Sequence, residues 1–234
     1  MNPLFNGVNL GNVLVQQTGV IGGGRFVFVK LQGVKNDLVF PPIGGKLKNP
    51  FKGVAKAYAG DLVEYRTDEN GENPEILLLK AFEVAATVAA EATSLTVVAN
   101  GYRHIPFVGD VLMKAPTTAT GTGTAVTVSS VQKGDGVYTL GLSGAIGALS
   151  KGDILVEAVE AGTGKKALVP NPNAFLPCDY DFAYAPQVDE NDFYGARYLI
   201  APALHGTAYI TRMSPVPAFA LKLNKSNVNG WFAL

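Results

Sequence analysis

Few side chains in this 234-residue chain are able to do acid–base, nucleophilic or metal chemistry. The two histidines, His104 and His205, lie far apart in the sequence. A Ser-His-Asp or Cys-His site needs a nucleophile presented beside its base. Ser143-Gly144 and Ser214-Pro215 form no nucleophile elbow, and Cys178 follows Pro177 with no motif around it. No residue therefore reads as catalytic, and each histidine reads as a turn or surface side chain. Ala161-Gly162-Thr163-Gly164-Lys165-Lys166 has the flavour of a phosphate loop, but position 159 is Val159 where the Walker pattern needs Gly. Lys166 stands where the magnesium-binding hydroxyl should be. It reads as a turn. The carboxylates Asp179, Asp181, Asp189, Glu190 and Asp192 are hard oxygen ligands of the kind calcium takes, yet they lack the EF-hand spacing and its glycine, and they read as solvated loop charge.

Lys46, Lys48 and Lys52, with Phe51 among them, make the one small basic cluster. Three lysines without an arginine or an aromatic ladder are a poor footprint for nucleic acid. Their sharper use is to pair with an acidic protein surface, where charge speeds association more than it tightens binding. Globally the chain has no pull of either sign. Lys plus Arg number 19 and Asp plus Glu number 19, giving zero formal charge, so nucleic acid and anionic membrane are not expected partners. The single cysteine allows no intrachain disulfide, and no Cys/His cluster suits a structural zinc, so no metal or cofactor is expected. Met1 to Gln17 carry no Lys or Arg, and asparagines interrupt each apolar run, so no signal peptide is read there. The best apolar stretch, Ile76 to Phe82, contains Lys80 and falls far short of the ~20 residues a membrane span needs. A soluble product made in the cytoplasm is the expectation.

The elements that must carry these residues are β. Charged residues are 16% of the chain against roughly 25% in an ordinary domain, and glycines number 27, nearly twice the usual ~7% share. That composition suits many strands and tight turns. Residues 1–24 read as an extended arm, with Asn and Gly between isolated apolar residues and neither period 3.6 nor period 2 sustained. Residues 25–82 read as a β segment able to pack with the C-terminal part. Residues 83–160 read as a barrel or sandwich module: Ser94 to Ala99 and Thr124 to Val131 alternate hydroxyl with aliphatic, and Lys133-Gly134-Asp135-Gly136 marks a turn before Val137–Leu142. Glu83 to Ala92 is Ala-rich and helical by propensity, but lacks an N-cap, so helix and strand both remain open. Residues 161–234 read as a C-terminal β domain, with strands at Phe182–Ala185, Ala196–Ile200, Thr207–Arg212 and Ala218–Leu223 and an apolar tail. The fold class expected is mainly β, antiparallel barrel or sandwich modules with an extended N-terminal arm. Because 59–82 and 161–185 share strand character, the central module is a candidate insertion into a discontinuous domain.

A phrase recurs along the chain. Gly60-Asp61-Leu62-Val63, Gly109-Asp110-Val111-Leu112 and Gly152-Asp153-Ile154-Leu155 share the form Gly-Asp followed by two apolar residues. Glycine supplies the positive φ of a turn and the aspartate bonds the turn backbone, so three strands entered through similar turns are expected. A bare strand opener of common type remains the other reading.

The stretch from Thr93 to Glu160, with Gly109-Asp110-Val111-Leu112 and Gly152-Asp153-Ile154-Leu155-Val156-Glu157 around Gly123-Thr124-Ala125-Val126-Thr127-Val128, resembles β modules of tailed-bacteriophage head proteins. The continuation Ala158 to Phe182 and the ending from His205-Gly206-Thr207-Ala208 to Asn229-Gly230-Trp231-Phe232 resemble head-fibre and auxiliary capsid proteins of phages of gut Bacteroidetes, including crAss-like phages. The resemblance spans residues 59–234. It implies a virion structural protein, not an enzyme, that decorates the outside of the phage head and braces contacts between major capsid subunits. Its implied partners are the major capsid protein and neighbouring copies or other head proteins. Aromatic residues dominate interface energetics, so Phe5, Phe51, Phe175, Tyr180, Trp231 and Phe232 are the expected anchors, beside Lys46, Lys48 and Lys52. The alternative is an exposed head fibre or adhesin that contacts host-surface glycan through Thr-rich surface such as Thr117–Thr124. The tail Trp231-Phe232-Ala233-Leu234 docks either on its own core or on another chain.

Overall fold

A computed structural model describes residues 7–10, 13–16, 29–31, 44–49, 51, 56–67, 69–70, 74–181, 199–200, 202, 204–209, 213–220 and 229–233. The chain divides into two compact units. Unit 1 takes Met1–Leu78, Pro172–Met213 and Leu223–Leu234; unit 2 takes Leu79–Asn171 and Ser214–Lys222. The fold is mostly β throughout. Strands β1 (Gly7–Leu10), β2 (Val13–Gln16), β3 (Val29–Leu31), β4 (Gly45–Leu47), β5 (Lys56–Ala57), β6 (Leu62–Arg66) and β7 (Glu75–Leu78) precede unit 2. Unit 2 holds β8 (Ala81–Glu83), β9 (Ser94–Val98), β10 (Val111–Lys114), β11 (Thr122–Lys133), β12 (Val137–Leu142), β13 (Ile154–Glu157) and β14 (Gly162–Lys166). Unit 1 resumes with β15 (Ala174–Phe175), β16 (Tyr180–Asp181), β17 (Leu199–Ile200), β18 (His205–Tyr209) and β19 (Asn229–Ala233).

Unit 2 is two sheets packed face to face, as in a β-sandwich, and one strand belongs to both. The path runs β8-β13-β10-β11-β12-β9, with β14 also on β11. Strand β11 is 12 residues long, about twice the usual length. Its register shifts between Val128 and Ser130, where it pairs with β12, and a bulge of this kind bends a strand and tightens its twist. The N-terminal half therefore lies with β10 and β14, and the C-terminal half with β12 and β9. Opposite the bulge stands Gly141, where any Cβ would collide with the Ser130 hydroxyl. Alternation then sets the core: Leu95, Val97, Leu140, Leu142 and Val128 on one side of the sandwich and Phe82, Leu112, Leu155 and Val126 on the other gather into one buried cluster. The barrel alternative is not what forms. The ends of the path touch at the bridge Val84↔Val97 and the bond Ala85 N–H to Thr96 O, 2.8 Å, without closing a ladder.

Glu83 to Ala92, which helical propensity also suited, is not helical. Val84 bridges Val97 and Val88 bridges Leu149, so the alanines lie on a segment pinned by its valines. The expected strand at Ala218–Leu223 is corrected in its described part, because Ala218–Ala220 is a helical turn closed by Ala220 N–H to Pro217 O, 3.0 Å. Pro217 sets φ for the first residue of such a turn and has no N–H to lose there. The turn carries Phe219, which is buried.

In unit 1 the five-stranded sheet runs β15-β6-β7-β4-β17. Strands β4 and β7 are parallel, and the remaining neighbours in the sheet are antiparallel. Within the stretch expected as an extended arm, β1 and β2 pair antiparallel and β3 joins them as a third strand. The apolar tail is strand β19, which pairs in parallel with β18, Thr207 opposite Trp231 and Ala208 opposite Phe232. Its backbone is thus held within its own chain. The expected strand at Phe182–Ala185 lies outside the described residues.

The three Gly-Asp phrases are one structure built three times. At Tyr58–Asp61, Phe107–Asp110 and Ser150–Asp153, the aspartate N–H bonds the first residue's carbonyl at 3.0–3.1 Å. The aspartate Oδ2 accepts that first residue's N–H at 2.8–2.9 Å. The glycines Gly60, Gly109 and Gly152 have φ of 81°, 87° and 87°, which costs a side-chain-bearing residue dearly. Each turn also grips one residue of a neighbouring segment, respectively Leu176, Val128 and Val84. The glycine N–H bonds that residue's carbonyl and the aspartate carbonyl accepts its N–H, all at 2.8–2.9 Å. All three gripped residues are buried. The turn is therefore a clamp that both opens a strand and fixes it to its neighbour.

Candidate functional site

The densest buried polar constellation among the described residues lies at one end of the unit 2 core. Strand β8 pairs with β13 as Leu155↔Phe82, and the ladder continues with Glu157 N–H to Lys80 O at 3.3 Å. Lys80 and Glu157 thus stand opposite each other on the face that carries Phe82 and Leu155 into the core. Lys80 is only 2% exposed, and its Nζ lies 3.1 Å from Glu157 Oε1. Burying an ammonium costs several kcal/mol unless a partner answers it, and Glu157 answers it. Beside them, His104 is buried with its ring edge-on to Phe82 at 6.2 Å. Its Nδ1 accepts the Ala81 N–H at 3.0 Å, so that nitrogen carries no proton and the ring hydrogen sits on Nε2. Arg103 donates to Glu83 at 2.7 Å, so residues 103–104 strap the free side of β8. His104 is not the turn or surface side chain expected from sequence; it satisfies a backbone donor that β13 leaves open.

Sequence reasoning met Lys80 only as the charge that broke an apolar run. The missed signal was parity: Lys80 falls on the alternate positions of Leu78, Phe82 and Val84, and Glu157 on that of Leu155. A charge at a core parity on two segments calls for an ion pair between them.

The expected interface residues are not brought together. Phe51 is 2% and Phe175 0% exposed, both packed inside unit 1, with Phe51 tilted against Tyr58 at 6.1 Å. As placed they are core residues, corrected from surface anchors, because apolar rings on short buried segments fill unit 1's own interior. Tyr180 is half-buried in β16, paired with Ala57. Trp231 and Phe232 lie on β19, and Phe5 and Lys52 lie outside the described residues. Lys46 is half-buried in β4, while Lys48 Nζ sits 3.0 Å from Glu75 Oε1 on the next strand. Its charge is answered at home rather than offered whole to a partner. Of the acidic stretch, Asp179 accepts the Ala59 N–H at 2.7 Å, and the backbone of Asp181 in β16 stands opposite that of Lys56 in β5. Asp189, Glu190 and Asp192 lie outside the described residues. Cys178 is half-buried, and that burial pushes its thiol up; Asp179's charge adds to the rise and a bond with Tyr180 opposes it.

Gly162–Lys166 is strand β14, with Lys165 bonded to Glu160 at 2.6 Å. Among the described residues, the exposed large apolar ones are Tyr102, Val108 and Val159, the two valines at 59% and 60%. Because Ala158 N–H bonds Val111 O where β10 and β13 meet, both valines fall at the same end of the sheet. A shallow, open depression of about 270 Å³ lies along Thr87, Val88, Ser94 and Thr96.

One surface pair gives a pH dependence. Lys114 Nζ, 2.7 Å from Asp153 Oδ2, holds that carboxyl below its ordinary value, aided by the Ser150 N–H and opposed by partial burial. A carboxyl with a lowered folded pKa stabilises the fold above its ordinary pKa, and the gain is lost as pH falls through the folded value. We expect Lys114→Met to flatten the acid limb of stability below about pH 4 and to cost about 0.2–1 kcal/mol at neutral pH. Urea titrations at several pH values read it. A Lys114→Met curve parallel to the parent's removes the pair as cause.

No family model, no curated protein and no solved structure matches this chain.

Proposed function

We propose that the chain is a virion structural protein, an auxiliary (decoration) capsid protein that binds the outer surface of a tailed-phage head and braces contacts between major capsid subunits. The observation that carries this is how one chain makes its two β units. It passes between them at 78/79, 171/172, 213/214 and 222/223. A brace is pulled in different directions by the neighbours it joins. Units in tandem share one linker, whereas interleaved units share several covalent tethers. Many copies on a lattice, each touching more than one subunit, gain avidity without any single contact being strong. A standard contact buries on the order of 1,600 Å² in total, and Val108 and Val159 give unit 2 an apolar spot from which to build one.

The test is sedimentation. In gradient-purified particles from the lysate in which the chain is made, it travels with the major capsid protein and withstands washing. A version lacking residues 1–24 loses β1 and β2 but keeps the β circular dichroism of its other sheets, and it washes off more readily. A full chain that stays at the top of the gradient overturns the proposal.

A glycan-binding head fibre is the second reading, favoured by a surface without charge. On the outer face of β9, β12 and β11, Thr96, Thr139 and Gln132 lie in one cross-strand row and Ser94, Gly141 and Ser130 in the next, with Thr87 beside them at the depression. Thr117, Thr118, Thr120 and Thr122 are exposed as well. Binding on a glycan array, lost on Thr96→Val with Thr139→Val, would favour it over the capsid reading.

A further inference from the structure

We propose that Lys80 and Glu157 join covalently, as an amide between Nζ and the side-chain carboxyl carbon, so that unit 2 is stapled across β8 and β13. The inference rests on the fold of unit 2 and stands apart from the capsid reading. Four observations converge. The two side chains face each other across adjacent antiparallel strands, so the ladder holds Nζ against the carboxyl rather than leaving it to chance. Nζ is 3.1 Å from Oε1, a separation from which bond formation requires side-chain motion alone. Lys80 is 2% exposed on the face that also carries Phe82, Leu155 and Leu112, an environment poor in water and unfavourable to separated charge. Asp110 provides a third, equally buried group. It lies two residues before Leu112, just ahead of β10, and Leu112 is opposite Glu157, which puts Asp110 diagonally across from Glu157.

The step balances without any co-reactant. A proton passes from the Lys80 ammonium to the Glu157 carboxylate beside it, which frees the amine lone pair. The amine lone pair attacks Cδ of Glu157, forming the N–C bond. Asp110 takes a proton from the nitrogen and returns it to the departing hydroxyl, and the C–O bond breaks with release of one water. Nothing is oxidised or reduced.

The position of the staple has a mechanical consequence. The main segment of unit 2 runs from Leu79 to Asn171, so a pull on the flanking chain enters next to Lys80 and leaves after Glu157. With the amide formed, that load passes directly from residue 80 to residue 157, and residues 81–156 carry none of it. Without a disulfide available, this bond would be the covalent reinforcement open to the chain.

Intact mass spectrometry of the purified full chain under denaturing conditions is the test. The expected mass is one water below that of the sequence, and digestion should give a branched peptide joining the segments around Lys80 and Glu157. Lys80→Met and Glu157→Ala should each restore the full mass. Should either variant fail to fold, the parent chain's mass and branched peptide still decide. A parent mass equal to the sequence overturns the proposal. So does a missing water traced to another place, such as cyclisation at Asp135-Gly136, or one that persists in Lys80→Met.

Discussion

Phe82→Ala is expected to cost about 3–5 kcal/mol of stability. The ring is 2% exposed and belongs to the cluster where both sheets of the unit 2 sandwich meet. Truncation removes its transfer free energy and leaves a cavity, and the surroundings have little freedom to collapse into it. On one side Leu155 is fixed by the β8–β13 ladder, and on another His104 is held by its bond to the Ala81 N–H. A domain of this size has only about 5–15 kcal/mol in hand, so the loss is a large share. Urea unfolding followed by far-ultraviolet circular dichroism measures it. The lone tryptophan, Trp231, belongs to unit 1 and reports on that unit separately. A loss below about 1 kcal/mol would mean that Phe82 does not sit at the centre of a packed core.

The same residue shows what a sequence can and cannot reveal. The strands at Ser94–Val98, Thr122–Lys133 and Val137–Leu142 were legible because each buries one face only, so alternation of hydroxyl and aliphatic residues marks them. The turn at residues 133–136 was legible from its glycines. Phe82 sits in Ile76 to Phe82, where apolar residues run without alternation because both faces are covered, and only the parity of Lys80 breaks the symmetry. Strand pairing was not legible. Whether β8 lies beside β13 depends on contacts between residues more than seventy positions apart, which no local pattern records. The buried pair at Lys80 and Glu157 is a product of that pairing, so the chemistry stayed hidden with it. Two of the expected aromatic anchors, Phe51 and Phe175, prove buried for a related reason. Composition favours Phe51 and Phe175 equally for core and for interface, and burial alone assigns them to the core of unit 1.

The recurring clamp yields the second large effect, and its size should follow burial rather than sequence. Asp61→Ala is expected to cost about 1.5–3 kcal/mol, the range for hydrogen bonds to a charged group whose partner is left behind. Its carboxylate is 1% exposed, and the Tyr58 N–H that it accepts would be stranded in a partly buried turn. In a Lys114→Met background, where its ion pair is already gone, Asp153→Ala removes the same bond, but at Ser150 that N–H faces solvent and water replaces the carboxylate, so about 0.5 kcal/mol is expected there. Asp110 is also the group invoked beside Lys80 and Glu157, so the comparison is between Asp61 and Asp153, the latter read in a Lys114→Met background to leave its ion pair out. Asn at position 61 keeps an acceptor and should recover part of the loss. Gly152→Ala separates the second ingredient: nothing lies within 4 Å of where its Cβ would go, so the cost is the left-handed backbone at φ 87° alone, about 1–2 kcal/mol. Thus at the third clamp the glycine should matter more than the aspartate, and at the first the aspartate should carry a cost of its own. Denaturation midpoints for the four variants test the order. Equal losses for Asp61→Ala and Asp153→Ala would show that the carboxylates act on the unfolded chain or on strand entry in general. In that case the grip on Leu176 and Val84 would come from backbone geometry without help from the side chain.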